Sequence, residues 1–590
     1  MARAAQGSTW RLLRRFLSET LTHRRLLAAV VATILGTAIA SLASPYILKV
    51  AIDQYIVARR YEGLPLIASL YLASLVAQWG FSSLRTWYIQ VFGQRVLYDL
   101  RNRALGKLLH ARIGYFKDKQ TGDLVSRVVN DTSIVNEVFV SGMLGSLGDL
   151  VSLVGIVAAM LLLNVRLTLV ALSTVPLMVF VAKYFGGRMR RAYRETREKI
   201  AQVSTIVEES VSGIETIKAF GREADAEREF RRASRETVRA FMRVAIYMGL
   251  FWPIMNISTI LSVAVVLIYG SYLVMQGAAS IGVVAAFVQY VQRFRGPINN
   301  VVTVYDSLQS ALASLERIYE VIDGAKPEPD EGLMEVGKLR GEVEYRNVWF
   351  EYEPGRPVIK NVSLRIRPGE TVALVGHTGA GKTTLVNLLL RFYDPTSGEI
   401  LVDGVDVRRI SIRSLRRRIA YVPQETYLFP GTILDNIRIV RPDATEEEVI
   451  ATCRELGIHD FIESLPQGYR TDAGEAGKRI STGEKQLIAI ARAMLMDPDI
   501  VVLDEALSSV DPATEEIVRR AMRRLMRGRT AIIIAHRLTA ALEADRVVVL
   551  EDGRIVEEGA PYELLARRGK FYQLYTAQMG SLGAAPSAAR

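Results

Sequence analysis

Cysteine is nearly absent from this sequence: Cys453 is the only one among 590 residues. A single thiol excludes an intrachain disulfide and a zinc site built from cysteines, so we expect a buried, inert side chain. The N-terminus also lacks the short apolar region and the small-residue cleavage site of a secretory signal. We therefore expect membrane insertion to begin with the first apolar helix of the chain itself.

No recognisable nucleic-acid-binding module accompanies the net charge of +12. Such a charge attracts either nucleic acid or anionic lipid. Because the arginines cluster beside apolar runs, we favour lipid and expect no nucleic-acid partner. Half of the residues are hydrophobic although 23% are charged, so the two kinds must be segregated along the chain. This pattern predicts membrane segments joined to soluble ones, in a chain too long for a single core.

Apolar segments occur six times in the first half of the chain, and a helix needs about 20 residues to cross a bilayer. The second and sixth segments are marginal in length and continue into polar sequence that contains glutamines and arginines. Those polar side chains, Arg293 among them, either line a water-filled cavity or form hydrogen bonds between helices. The six segments are residues 26–52, 64–81, 139–163, 167–185, 245–274 and 281–291.

Long charged connections follow the second and fourth segments and contain many arginines and lysines. The preference of these residues for the cytoplasmic side predicts that both connections and both termini lie in the cytoplasm. Residues 9–23 combine leucines with arginines at helical spacing, which predicts a helix on the membrane surface. A helix packed against protein is the alternative interpretation. The pattern predicts a multi-pass protein of the cell (inner) membrane.

A glycine-rich stretch, GHTGAGKTT at residues 376–384, fits the G-x-x-x-x-G-K-[ST] pattern of a phosphate-binding loop. It lies between an apolar run at 371–375 that predicts a strand and a run at 384–390 that predicts a helix. Glycines let backbone N–H groups surround phosphate oxygens, Lys382 can reach the terminal phosphates, and the Thr383 hydroxyl can bind magnesium. A simple glycine turn is the alternative, and the motifs that follow along the chain disfavour it.

An apolar strand at residues 499–505 ends in two acids. A buried parallel strand has such an uninterrupted apolar run, and its carboxyl end is where α/β folds place their chemistry. Asp504 suits a magnesium site, and Glu505 suits a general base for an attacking water. Acids at strand ends are also common surface features, but a phosphate loop earlier in the chain favours the functional interpretation.

Four further positions complete the pattern. Gln424 follows a strand and presents an amide that suits magnesium or water, and His536 ends a strand where it can reach a γ-phosphate. Ser481 begins a long helical run, so its hydroxyl and the neighbouring N–H groups form a second anion site. Tyr352 precedes the phosphate loop and can stack on a nucleotide base, although an ordinary strand aromatic is the alternative.

With these motifs in place, the sequence resembles an ATP-binding cassette (ABC) exporter of the six-helix, fused type over residues 10–580. The resemblance implies an all-α transmembrane domain followed by an α/β P-loop NTPase domain. It also implies ATP and Mg²⁺ as cofactors, and ATP-driven export of a drug, lipid or peptide. An ATP-gated channel or regulatory membrane protein is the alternative. The implied domains are an interfacial helix (1–25), a six-helix transmembrane domain with long intracellular extensions and two coupling helices (26–323), a linker (324–340), a nucleotide-binding domain (341–578) and a tail (579–590).

The resemblance assigns roles to individual residues. It implies catalytic roles for Glu505, His536, Gln424 and Lys382, and magnesium contacts for Thr383, Gln424 and Asp504. The nucleotide-binding positions that it implies are Tyr352, Gly376, Thr378, Gly379, Gly381, Lys382, Thr383, Thr384, Ser481, Gly483 and Asp511.

One motif departs from the family pattern. The consensus signature is Leu-Ser-Gly-Gly-Gln, whereas this chain has Ile-Ser-Thr-Gly-Glu at residues 480–484. Thr482 adds bulk and Glu484 adds negative charge near an anion site, and Ala476 stands where the family often has arginine. In this family two cassettes dimerise head to tail, and each signature closes over the ATP of the other chain. We therefore favour a heterodimer with a second half-transporter chain, with a homodimer as the alternative.

Overall fold

The computed structural model describes residues 2–117, 119–330, 333–504, 512–535 and 537–583. These residues form two compact units. One contains the chain up to residue 109 and from 119 to 325, and the other contains the segment that begins at 110 and the chain from 326 onward. The predicted tail, residues 579–590, lies outside the described residues from 584 on.

The first unit is helical throughout. Three short π-helical segments, Ala51–Ile56, Arg127–Asp131 and Asn136–Met143, interrupt or extend its α-helices. The α-helices are α1 (Ala2–Thr20), α2 (Arg24–Val50), α3 (Leu64–Leu109), α4 (Thr121–Ser126), α5 (Thr132–Val135), α6 (Leu144–Leu163), α7 (Val165–Leu172), α8 (Val175–Ser212), α9 (Ile214–Ala219), α10 (Glu223–Met275), α11 (Ile281–Arg293) and α12 (Arg295–Gly324).

Five helical stretches of the described chain are long and apolar enough to cross a membrane. Each of them contains one of the first five predicted apolar segments. The sixth predicted segment forms α11, which has 13 residues and is followed by α12 after Phe294. The five stretches are Arg11–Ile56, Tyr61–Leu109, Thr121–Leu163, Val165–Ser212 and Glu223–Met275.

The N-terminal helix α1 packs one of its faces against α12. The Arg15 guanidinium donates to the two carboxylate oxygens of Asp323 at 2.6 and 2.9 Å, and the Phe16 side chain is buried. Leu17 and Leu21 remain exposed. The helix therefore has a protein-packed face, and it keeps apolar side chains on its outer surface as a membrane-surface helix requires.

A proline in α2 explains how α2 and α11 are joined. Pro45 has no backbone N–H, so the carbonyl of Ser41 loses its partner within the helix. The Arg293 guanidinium donates to that carbonyl and, at 2.7 Å, to the Ser44 hydroxyl. The Tyr290 hydroxyl donates to the Leu42 carbonyl at 2.9 Å. Arg293 is therefore an interhelical hydrogen-bond partner, which is one of the two roles that the sequence allowed.

The second unit contains two β-sheets. A four-stranded antiparallel sheet has the order β2-β1-β4-β5, and a six-stranded sheet has the order β10-β9-β3-β8-β7-β6, in which only the β10–β9 pair is antiparallel. The strands are β1 (Val343–Glu353), β2 (Arg356–Ile366), β3 (Thr371–Val375), β4 (Ser397–Val402), β5 (Val405–Asp406), β6 (Ile419–Val422), β7 (Ile500–Asp504), β8 (Thr530–Ile534), β9 (Arg546–Glu551) and β10 (Arg554–Gly559).

Strands β7 and β8 are buried along their whole length. Their continuous apolar sequence is what parallel strands need when both faces of the sheet are covered.

Cys453 is buried as well, and burial raises the pKa of its thiol to about 11, so the thiol stays protonated near neutral pH. The helices of this unit are α13 (Lys382–Leu389), α14 (Ile412–Arg416), α15 (Ile433–Arg438), α16 (Glu446–Leu456), α17 (His459–Glu463), α18 (Thr482–Leu495), α19 (Pro512–Met526), α20 (Leu538–Ala541), α21 (Pro561–Arg567) and α22 (Lys570–Gly583).

Candidate functional site

The register of the six-stranded sheet brings to one edge the strand ends from which the glycine-rich loop and the segment with Gln424 follow, together with Asp504. Strand β8 lies between β3 and β7, and its Ile534 is the neighbour of both Leu374 and Asp504. On the other side of β7, Leu503 is the neighbour of Val422. The carboxyl ends of these four parallel strands therefore meet, which is where open α/β sheets bind their ligands.

The glycine-rich loop leaves β3 at this edge, and two of its glycines cannot be replaced without strain. A Cβ on Gly376 would lie 2.2 Å from the Leu550 carbonyl oxygen, and one on Gly381 would lie 2.6 Å from the Ile359 side chain. Gly381 has φ +104 and directly precedes α13. The loop therefore ends at the N-terminus of α13, where N–H groups and the helix dipole favour a phosphate.

Lys382 begins α13, although the hydrophobic pattern predicted a helix start at 384. Lys382 as a residue is buried, and its ammonium donates to the carbonyl oxygens of Gly376 at 2.7 Å and His377 at 3.0 Å. Burial lowers the pKa of Lys382, and the nearby Asp504 carboxylate opposes that shift. An ammonium that is removed from water in this way interacts strongly with an incoming anion.

Oxygen ligands of the type that Mg²⁺ prefers lie at the same edge. The Asp504 carboxylate is 5% exposed, and the Tyr421 hydroxyl donates to it at 3.4 Å. Burial and the Asp504 charge raise the pKa of Tyr421 to about 12, so the hydroxyl keeps its proton. Thr383 is exposed, and Gln424 is an exposed residue just beyond β6. A carboxylate, a hydroxyl and an amide fit a magnesium ion that is also bound to phosphate oxygens and water.

Tyr352 is held beside the phosphate loop. Its hydroxyl oxygen lies 3.3 Å from Oγ1 of Thr384, a buried residue in the first turn of α13. Its ring makes edge-to-face contacts with Phe350 at 4.7 Å and with Tyr393 at 5.0 Å between centroids. The ring is therefore fixed next to the point at which phosphates would bind, as base stacking requires.

The variant signature forms a capping box at the start of α18. The Ser481 hydroxyl accepts a hydrogen bond from the Glu484 N–H, and the Glu484 carboxylate accepts one from the Ser481 N–H at 2.6 Å. Gly483, between them, is buried. The carboxylate thus lies at a helix N-terminus, where an external anion would otherwise bind. The S-x-x-E spacing predicts this arrangement, but the sequence interpretation had treated Glu484 only as a charge.

Three predicted site residues, Glu505, Asp511 and His536, lie outside the described residues. Glu505 directly follows Asp504 in the chain, and His536 lies two positions after Ile534, the last residue of β8. The proposed roles of these three residues rest on the sequence. Thr378 and Gly379 lie in the glycine-rich loop and are exposed.

The fold and the site define a class of protein: a helical unit able to span a membrane, fused to a P-loop nucleotide-binding domain. Comparison with family models agrees. Residues 26–298 match the "ABC transporter transmembrane region", and residues 359–508 match "ABC transporter".

Individual proteins resemble the chain over nearly its whole length. A "Fatty acid ABC transporter ATP-binding/permease protein" of Mycobacterium bovis is 39% identical over 87% of this chain and 80% of that protein. An "ATP-dependent lipid A-core flippase" of Syntrophus aciditrophicus is 36% identical over 93% of this chain and 91% of that protein. The solved structure of a "bacterial Atm1-family ABC exporter with ATP bound" matches with a TM-score of 0.76 and 28% identity, covering 96% of this chain and 99% of that one.

The chain belongs to the ABC transporter family and has the fused arrangement of an ABC exporter. It is a multi-pass membrane protein with a cytoplasmic ATP-binding domain, and it hydrolyses ATP to drive transport. The predicted family, fold class and ATP-hydrolysing activity are confirmed.

Proposed function

We propose that this protein exports a hydrophobic or amphipathic substrate, such as a drug, lipid or peptide, by alternating access. The names of two similar proteins support a lipid-like substrate, because both fatty acids and lipid A-core are amphipathic. The observation that carries the proposal is the shared strand edge. There the phosphate loop and Asp504 are brought together in a chain that also carries membrane-spanning helices.

ATP binds with its phosphates in the loop at residues 376–384 and its base on Tyr352. Mg²⁺ supplies a positive charge that neutralises the phosphates, and Thr383, Gln424 and Asp504 are the residues that would hold it. Glu505 acts as general base for the attacking water, and His536 orients the γ-phosphate. The desolvated ammonium of Lys382 gives up its two carbonyl partners for phosphate oxygens, since hydrogen bonds to charged acceptors are the stronger ones.

The complete site lies between two cassettes, with Ser481, Gly483 and Asp511 of one chain facing the nucleotide held by the other. The capping box supports this arrangement. In the part of the chain that the structure describes, the side-chain hydrogen bonds given for Ser481 and Glu484 join these two residues to each other and do not reach the phosphate loop. The second half-transporter is a different chain, which supplies the better signature to this chain's own ATP.

ATP moves the membrane helices because it binds the closed pair of cassettes better than the separated pair. A ligand shifts a conformational equilibrium only by such a difference in affinity. Closure opens the cavity outward, and hydrolysis returns the cassettes to the separated state.

Transport into sealed vesicles tests the proposal. Inside-out vesicles that contain the full-length chain with its partner should accumulate a fluorescent fatty acid or phospholipid against a gradient when ATP is supplied. Accumulation should stop with a non-hydrolysable ATP analogue. Flux that only runs down the gradient, and that persists with the analogue, would instead establish an ATP-gated channel.

Glu484→Gln is expected to raise the ATPase activity of the site that receives this chain's signature. Glutamine keeps an oxygen that accepts the Ser481 N–H, but it removes the negative charge that opposes a γ-phosphate. Charges at a helix N-terminus are worth about 0.3–2 kcal/mol, so we expect about a two- to thirtyfold gain. Steady-state ATPase of the assembled transporter, resolved into kcat and KM, measures the effect.

The matched control is Glu448→Gln. Glu448 forms the same capping box with Thr445 at the start of α16, where no nucleotide role is proposed. That variant should leave the ATPase unchanged. An unchanged or lower rate in Glu484→Gln would show that the carboxylate does not oppose nucleotide binding.

A further inference from the structure

A cavity of about 330 Å³ lies in the second unit, beside the base-stacking tyrosine. Its walls combine the aromatic rings of Phe350, Tyr352 and Tyr393 with Gly114 and Lys117. The last two belong to segment 110–117, which follows α3 directly in the chain. No role for this segment follows from the phosphate-loop chemistry.

Backbone hydrogen bonds join segment 110–117 to residues 326–328 of the same unit. The Arg112 N–H donates to the Lys326 carbonyl at 3.1 Å, and the Glu328 N–H donates to the His110 carbonyl at 3.0 Å. Gly114 lies against the Tyr393 ring, and a Cβ added at Gly114 would be 3.2 Å from the nearest ring atom. The backbone that leads to Lys117 is therefore held close to residues 326–328 and to Tyr393.

The Lys117 ammonium lies over the ring of Tyr352, 4.8 Å from its centroid. This distance is typical of a cation–π interaction. Among the described residues, no carboxylate forms an ion pair with Lys117. The charge of the ammonium therefore interacts with the Tyr352 ring. Lys117 and Tyr352 both line the cavity. The ammonium therefore covers part of the Tyr352 ring at the wall of this cavity.

A ring face holds either a cation or a stacked base, but not both. We propose that Lys117 is a positioning residue that competes with the nucleotide base for Tyr352. Without nucleotide, the ammonium holds the ring. When the base stacks, it displaces Lys117, and segment 110–117 loses one of its contacts with the cassette. Base occupancy is thereby signalled to the segment that continues from α3. The inference rests on the proposed stacking role of Tyr352.

The test compares two ligands of the full-length transporter in nanodiscs: MgATP and inorganic tripolyphosphate, which has no base. Lys117→Met keeps the aliphatic stem and removes the competing charge. A cation–π contact at a partly exposed site corresponds to about a two- to fivefold change in affinity, so the variant should bind ATP that much more tightly. Tripolyphosphate affinity should not change. Lys117→Arg should restore the wild-type ATP affinity, and the exposed Lys338→Met serves as control.

Unchanged or weaker ATP binding by Lys117→Met, or an equal shift for tripolyphosphate, would overturn the inference. A Tyr352→Ala background separates this failure from failure of the proposed function. Suppose that Tyr352→Ala weakens the binding of ATP but not of tripolyphosphate, and that Lys117→Met has no effect in the wild-type background. The stacking role of Tyr352 is then supported and the competition by Lys117 is refuted. If Tyr352→Ala leaves ATP affinity unchanged, the stacking role itself is wrong. The inference also requires that Lys117→Met has no further effect in the Tyr352→Ala background.

Discussion

Lys382→Ala is expected to abolish ATP binding by this chain and, with it, transport. Lys382 is a buried residue, and its ammonium donates hydrogen bonds to two carbonyl oxygens of its own loop. In the proposed mechanism phosphate oxygens replace those carbonyls when ATP binds, and each charged hydrogen bond is worth about 1.5–3 kcal/mol. Loss of two such bonds lowers the affinity by about 10²-fold or more. Equilibrium binding of MgATP and vesicle transport measure the two losses.

Lys338→Ala is the matched control, because Lys338 is exposed and lies outside the loop. Thermal unfolding of both variants shows whether the loop change affects folding. Because Gly376 is only partly buried and His377 is exposed, we expect their carbonyls to be solvated in Lys382→Ala and the cassette to stay folded. Transport at the wild-type rate in Lys382→Ala would refute the proposed role of ATP.

Glu505→Gln is expected to stop turnover while leaving ATP binding intact. In the chain, Glu505 directly follows Asp504, and Asp504 is the last residue of β7, at the strand edge where the phosphate loop begins. A general base contributes about 10²–10⁴-fold to rate, and glutamine cannot accept the proton of the attacking water. We therefore expect the ATPase of this site to fall by about that factor. MgATP should still bind with wild-type affinity, and the closed pair of cassettes should accumulate.

Glu516→Gln is a suitable control, because Glu516 is an exposed acid on α19 that forms an ion pair with Arg520. Steady-state ATPase and trapped-nucleotide stoichiometry are measured for both variants. ATPase at the wild-type rate in Glu505→Gln would exclude the general-base role. If Glu505→Gln loses ATP binding as well as turnover, Glu505 contributes to holding the nucleotide instead.

Much of the site was predictable because its motifs are local. The spacing of glycines, Lys382 and Thr383 is a property of nine consecutive residues, and the loop geometry follows from that spacing. The apolar run that ends in Asp504 predicts a buried strand for the same reason. The helix cap formed by Ser481 and Glu484 was also present in the sequence as an S-x-x-E pattern. Apolar length predicted five of the membrane stretches.

Contacts between distant residues were not predictable. Arg293 and Ser41 are 252 positions apart, and no local pattern states that a proline in α2 frees a carbonyl for an arginine in α11. The same holds for Lys117 and Tyr352, which belong to segments separated by most of the membrane unit. Sequence periodicity describes which face of an element is apolar, but it does not specify the element that covers that face.

The amino-acid sequence by itself determined the family, the phosphate loop and the division into membrane and nucleotide-binding parts, because each depends on neighbouring residues or on the length of an apolar run. The tertiary structure alone decided which strand ends meet, which carbonyl the Arg293 guanidinium binds and what covers the Tyr352 ring. The physical reason is that strand register and side-chain packing are selected by the whole core at once, through contacts that no short segment contains.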